Sequence, residues 1–476
     1  MSDTASAAGS RPRTLGELRA AGRTTRPVRE EVRSNLLAKL ASGAPLLPGI
    51  IGFEDSVIPE VENALLAGHH MVFLGERGQA KSRIIRGLTG LLDEAIPAVA
   101  GCPLHDDPWR PICAVCRARA AAEGDALPIA WIDREARYGE KLATPDTSIA
   151  DLIGEVDPIK VAEGRYLADE ETIHYGLIPR SNRGLFAINE LPDLTEKVQV
   201  GLFNLMEEKD VQIKGYRIRL PVDVVIVASA NPEDYTSRGR IITPLKDRFD
   251  AQIRTHYPRS VRDEIAIAEQ EVSLRERAGR AVHMPEFIKS ILAQLTFEAR
   301  ACAEISQTSG VSVRVTINNW ESVISNAEKR AVRTGVGEIV PRLTDLHAIY
   351  ASTAGKIEIE YAAEERSEAQ IIGQLVDRAI LTVFDQLLAV AELAPVVAHF
   401  AAGWGVEVSD ALPAREYLEV VDKIPGLRDA VRRLGPHESA GFIAAASELI
   451  FEGLHLHKKL NREDRGARWS YAGRGG

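Results

Sequence analysis

The chain has 476 residues, 45% hydrophobic and 26% charged, enough for about three domains, and this excludes a small disulfide scaffold or a disordered tail. Its 58 basic and 68 acidic residues leave a formal net charge of −10, which argues against a surface built mainly to hold a nucleic-acid backbone. The most apolar part of the C-terminal third is broken by Asp377, Arg378, Asp385 and Glu392, so no membrane span of about 18 uncharged residues is expected.

In chain order, residues 1 to about 28 mix Ser, Ala, Gly, Pro and Arg without a stable period and read as a mobile arm. Met1–Arg13 lacks the apolar stretch of a signal peptide, which predicts a cytoplasmic protein. From Arg29 to Leu40 the residues Val32, Leu36, Leu37 and Leu40 share one helical face, with Gly43 and Pro45 as the stop. A globular domain starts near Pro48. A helical stretch, Asp55–Ala67, leads into a short apolar run, Met71–Leu74, expected as a buried strand. Ile129–Ile132, Leu185–Ile188 and Val222–Ala228 are further strand candidates, and such β-branched runs between helices predict a parallel sheet covered on both faces. A helix is expected from Asp193 to Glu208, opened by a capping box of Asp193 and Glu196. A hairpin centred on Lys214-Gly215 is expected over Val211–Leu220, and mostly helical structure beyond Pro258. No internal repeat is evident.

Directly after the Met71–Leu74 run comes Gly75-Glu76-Arg77-Gly78-Gln79-Ala80-Lys81-Ser82, followed by a helical segment. Strand, glycine loop, Lys-Ser and helix are the context that makes a phosphate-binding loop meaningful. Backbone N–H groups would wrap the phosphates of ATP, Lys81 would neutralise the outer ones, and Ser82 would contact Mg²⁺. Ala80 stands where the general pattern has a second glycine.

The strand at 185–188 ends in Asn189-Glu190. Nucleotide hydrolases of this kind usually place Asp-Glu there, the aspartate helping to hold Mg²⁺ and the glutamate orienting water. Asn189 offers an amide oxygen but not the full charge that attracts the metal. The next strand ends at Asn231, where an amide can sense a γ-phosphate or water. Arg248, flanked by Leu245 and Phe249, suits a finger reaching a neighbouring subunit's phosphate. Arg314 opens a helical segment in the following domain and suits a second nucleotide-sensing arginine.

Taken together, these residues resemble the AAA+ ATPases, within them the branch of MoxR-type proteins and the ATPase subunit of magnesium chelatase. Gly75–Ser82 looks like Walker A, Ile188-Asn189-Glu190 like Walker B, Asn231 like sensor 1, Arg248 like the arginine finger and Arg314 like sensor 2. The run Tyr175–Gly184, the hairpin at 211–220 and an inserted segment near 143–174 are similar to features of that branch, and the match covers roughly residues 48–350. The resemblance implies an α/β fold, a P-loop AAA+ parallel-sheet domain followed by a helical lid and additional C-terminal helices. The chain is expected to divide into an arm and leading helix (1–47), an α/β nucleotide-binding domain (48–258) with an insertion at 100–128, a helical lid (259–374) and a C-terminal helical region with a basic tail (375–476). The resemblance also implies a homo-oligomeric ring, a hexamer, with ATP at subunit boundaries, and a partner carrying a von Willebrand A domain. The activity implied is ATP hydrolysis coupled to remodelling or activating a partner protein. The alternative is a nucleotide-dependent scaffold with little hydrolysis, because Asn189 replaces the aspartate. A transcription activator is disfavoured: neither a helix-turn-helix nor a Gly-Ala-Phe-Thr-Gly-Ala loop is evident.

Within the 100–128 insertion, Cys102-x2-His105 and Cys113-x2-Cys116 form a soft four-ligand set suited to a structural Zn²⁺. The same residues also read as loop thiols beside a solvated histidine. His69-His70 reads as a strand-entry turn, the acidic residues Asp146, Asp151, Glu155 and Asp157 with Lys160 as a solvated face, and the basic run from Lys458 to Arg474 as a flexible tail. Trp404 and Trp469 are not interleaved with a basic patch, and nucleic acid is not an expected partner.

Overall fold

Five parallel strands make the central sheet of the N-terminal half: β1 (Met71–Leu74), β2 (Tyr138–Leu142), β3 (Gly184–Asn189), β4 (Val224–Ala230) and β5 (Ala251–Arg254). Their spatial order is β5-β1-β4-β3-β2. The structure is a computed structural model and describes residues 11–157, 172–208, 211–212, 219–231, 240–273, 279–306, 310–359, 367–464 and 468–474. Lys160, the 158–171 part of the inserted segment, and the Lys214-Gly215 centre of the expected hairpin lie outside the described residues. The hairpin's flanks, Val211–Gln212 and Arg219–Leu220, pair antiparallel.

Every residue of β3 and β4 is buried. Side chains alternate between faces along a strand. Leu185, Ala187, Val225 and Val227 therefore join one apolar cluster with Met71 and Phe73 of β1. Phe186, Ile188, Ile226 and Ala228 join another with Val72. The first face is covered by the helices Val28–Ser42, Val57–Ala67 and Lys81–Gly87, through Val32, Leu36, Val61, Leu65, Ile84 and Ile85. Burial on both sides is why these strands read as unbroken apolar runs.

Four local expectations differ from what forms. Ile129–Asp133 is not in the main sheet; it pairs antiparallel with Ala95–Val99. The outer strand is instead β2, Tyr-Gly-Glu-Lys-Leu, which among the described residues pairs only with β3 and so needs no continuous apolar run. The segment after β3 does not start on an Asp193 capping box. Leu191–Asp193 is a 3₁₀ turn with Pro192 in it, Leu194 is extended, and the helix Glu196–Gly201 begins after Thr195, followed by Phe203–Glu208. The described part of the arm is packed onto the domain: Thr14 caps the helix Leu15–Ala20, the Leu15 amide donates to the Leu127 carbonyl, and Trp131 Nε1 donates to the Pro12 carbonyl. The expected basic tail forms strands, Leu460–Asp464 and Arg468–Gly473, in an antiparallel sheet with Gly405–Ser409.

The chain divides into two compact units, Met1–Glu76 with Ala80–His256, and Arg77–Gln79 with Tyr257–Gly476. In the second, the helices Glu286–Ala301, Arg314–Thr334, Glu368–Leu387 and Ala440–Leu456 share one apolar core with the C-terminal sheet. The helix Ala440–Leu456 is buried from Gly441 to Leu454. Its two acidic side chains are satisfied inside: Glu448 accepts from the Thr344 amide and Tyr417 hydroxyl, and Glu452 pairs with Arg462 and accepts from Tyr471. No single helix among the described residues is long and apolar enough to cross a membrane.

Candidate functional site

The tips of β1, β3 and β4 converge because the three strands are adjacent and run the same way. The loop Gly75–Ser82 leaves β1 with its Gly75 amide bonded to the Ala230 carbonyl at the end of β4, 3.2 Å away. Ala80, in the place of a glycine, takes a left-handed conformation (φ 56°) just before the helix Lys81–Gly87. Holding a methyl-bearing residue there costs about 1–2 kcal/mol. Glu190 is also left-handed (φ 55°), so strained backbone sits both in the loop after β1 and at the tip of β3.

Lys81 is buried and donates to the carbonyls of Gly75 and Glu76 and to Asn231 Oδ1 at 2.7 Å. Asn231 Nδ2 in turn donates to Glu190 Oε2 at 2.6 Å. An ammonium only donates and a carboxylate only accepts, so this chain sets the amide's orientation. The result is a relay in which the loop's cation and the strand-tip carboxylate are joined through one amide. Ser82 lies exposed in the first turn of the helix Lys81–Gly87, and Gly78 is left-handed (φ 78°).

At the tip of β3, buried Asn189 donates through Nδ2 to Glu140 Oε1 of β2 at 2.5 Å and accepts from the Ser229 hydroxyl at 3.2 Å. Glu140 accepts from Arg86 Nε and Nη2, each at 2.9 Å, and from the Tyr138 hydroxyl. The Arg86 hydrogen bond is the main cause that holds the Glu140 carboxyl below its usual range. Sequence reasoning missed Glu140 and Arg86. Their only signal was a charged pair 54 residues apart, which no local motif links.

Arg248 lies in the first unit, paired with Glu207, donating to the Pro244 carbonyl and stacked over Phe203. Arg314 is exposed at the first turn of its helix in the second unit. The structure brings Lys81, Asn231 and Glu190 together directly, and Asn189 to the same strand tip.

In the insertion the thiols of Cys102, Cys113 and Cys116 converge with a carboxylate oxygen of Asp106, all four ligand atoms within 4.8 Å of one another. His105 is not in that group. It takes a left-handed backbone (φ 50°), and its Nδ1 is buried without a hydrogen-bond partner. Asp106 is fully buried: one oxygen accepts from the Ile112 and Cys113 amides, while Oδ1 is buried without a partner. Burial, with the charge of Cys102, pushes its carboxyl up to about 6.

A family model described as the Sigma-54 interaction domain matches residues 161–249. The magnesium-chelatase 38 kDa subunit of Rhodobacter capsulatus is 28% identical over 245 residues, 48% of this chain and 62% of its own length. That of Acidiphilium rubrum is 27% identical over 269 residues, 51% of this chain and 72% of its own. A magnesium-chelatase subunit ChlI homolog of Methanocaldococcus jannaschii is 24% identical over 272 residues, 51% of this chain and 68% of its own. The chain thus spans less than two thirds of the first of these relatives.

Proposed function

We propose that the chain is an AAA+ protein of the magnesium-chelatase branch, as its similarity to the 38 kDa subunits supports, and that it binds Mg·ATP at Gly75–Ser82, hydrolyses it, and uses the cycle to remodel or activate a partner protein. The observation that carries this reading is the Lys81–Asn231–Glu190 relay. Bound ATP supplies the phosphoanhydride, and Mg²⁺ the charge that screens its oxygens. Lys81, now bonded to two loop carbonyls, is a cation that triphosphate oxygens would draw away. Asn231 would lose its ammonium partner when that happens and report the change to Glu190. Glu190 is the base that orients water in this scheme, Ser82 the hydroxyl facing the metal, and Arg248 and Arg314 the arginines that read the phosphates, Arg248 in a neighbouring subunit.

The reading includes a homo-oligomeric ring, a hexamer as in MoxR-like proteins, a cytoplasmic location, and a partner with a von Willebrand A domain. It also includes a structural zinc ion, supported by the three converging thiols and the unpartnered oxygen of Asp106. Two ligands about 2.3 Å from one tetrahedral ion lie roughly 3.8 Å apart, which suits a cluster this tight.

A scaffold with little hydrolysis is the competing reading, favoured by the missing charge at Asn189. Phosphate release decides between them. Lys81→Ala is expected to lose binding of a fluorescent ATP analogue while keeping the wild-type circular-dichroism spectrum. Glu190→Gln should keep the binding and lose phosphate release. Equal phosphate release by the wild type and Glu190→Gln, with nucleotide bound in both, would remove the hydrolase reading.

A further inference from the structure

The departure at Asn189 has a partner in space. In the sheet register Leu142 stands opposite Asn189, and Glu140 opposite Ala187. Ala187 belongs to the apolar cluster covered by the helix Lys81–Gly87, so Glu140 and Asn189 share that face. The same helix supplies Arg86, four residues beyond Ser82 and therefore on the same side of it. Glu140 is thus held between the β3 tip and the helix face that carries Ser82.

We propose that Glu140 provides the negative charge that Asn189 lacks, the two side chains acting as one amide–carboxylate pair that positions the water shell of Mg²⁺. This rests on the nucleotide site assigned above. Glu140 accepts only, and the Ser229 hydroxyl can donate, so Asn189 presents its NH₂ to the first and its oxygen to the second. An aspartate at 189 would bring two carboxylates to 2.5 Å, and one of them would have to take up a proton. Asn189 is therefore the residue that Glu140 permits, and the pair carries one negative charge, which Arg86 faces from the helix. The charge has moved to the neighbouring strand. Glu140 is a positioning residue: it acts on the metal through water and through Asn189.

The test is a swap read by nucleotide affinity, with a fluorescent ATP analogue titrated in excess EDTA and again in Mg²⁺. In EDTA the wild type, Glu140→Gln, Asn189→Asp and the double variant are expected to bind alike. In Mg²⁺ the wild type should tighten, and Glu140→Gln should lose about tenfold or more of that gain, as loss of outer-shell metal partners does. The double variant restores one carboxylate facing one amide and should recover most of the gain, although the amide it carries on β2 no longer forms an ion pair with Arg86. Glu140→Gln keeping the full Mg²⁺ gain would overturn the proposal. So would a double variant no better than Glu140→Gln, since a purely structural tie to Arg86 predicts that result. A wild type that binds no nucleotide under either condition would remove the nucleotide site and this inference with it.

Discussion

Asn231 shows how much a single side chain settles. Its amide touches a cation on one side and a carboxylate on the other, and it is 3% exposed, so neither contact is diluted by water. Lys81, Asn189, Glu190 and Asn231 are all legible in the sequence because each ends a strand or follows one, and the chain order of those strands is written in the apolar runs. Asp106 is not legible there. Cys-x2-His is the spacing a reader selects, yet the left-handed turn at His105 leaves the neighbouring aspartate, not the histidine, beside the thiols. Metal content measures the difference. The purified protein is expected to hold about one equivalent of zinc. Asp106→Asn, which keeps an oxygen for the Ile112 and Cys113 amides, should weaken retention against a chelator about tenfold or more. His105→Ala should leave it near the wild-type level. Less than about a tenth of an equivalent in the wild type would reject the site.

At the level of elements, contrast between ion pairs decides what the leading helix does. Glu31 on Val28–Ser42 and Arg137, just before β2, are both almost wholly buried and bonded at 2.6 and 2.8 Å. Arg137 also donates to the Arg183 carbonyl. Breaking such a pair from one side leaves an uncompensated buried charge, so Glu31→Gln should cost about 3–5 kcal/mol in denaturant unfolding of the N-terminal unit. Glu123→Gln, which removes a half-exposed pair with Arg119 four residues away on one helix, should cost about 0.5 kcal/mol or less. β3 and β4 were readable because burial on both faces demands apolar residues throughout. β2 was not, because an edge strand tolerates Glu140 and Lys141. The start of the helix after β3 was misplaced because Pro192 makes a 3₁₀ turn of the residues that looked like a cap.

For the molecule as a whole, the proposed mechanism divides one site between two copies of the chain. Within its own chain Arg248 is engaged by Glu207, Pro244 and Phe203, an arrangement that holds the guanidinium in place near the surface. If it acts on a neighbour's phosphates, Lys81→Ala and Arg248→Ala are each inactive alone, and mixing them rebuilds sites with an intact loop on one copy and an intact finger on the next. Phosphate release should therefore reappear on mixing, to a fraction of the wild-type rate. No recovery in mixed oligomers verified by mass would count against action in trans.

Local spacing and strand-like runs were enough to single out a candidate phosphate loop, a carboxylate at a neighbouring strand tip and an α/β class, because a phosphate cradle is built from consecutive residues and buried strands advertise themselves by composition. What spacing could not reveal was every partnership made across the sheet: Glu140 with Asn189, Glu31 with Arg137, Asp106 with the thiols, and the tail folded into strands. Those contacts join residues far apart along the backbone, and their energies depend on register and burial, which come into being only when the strands pack.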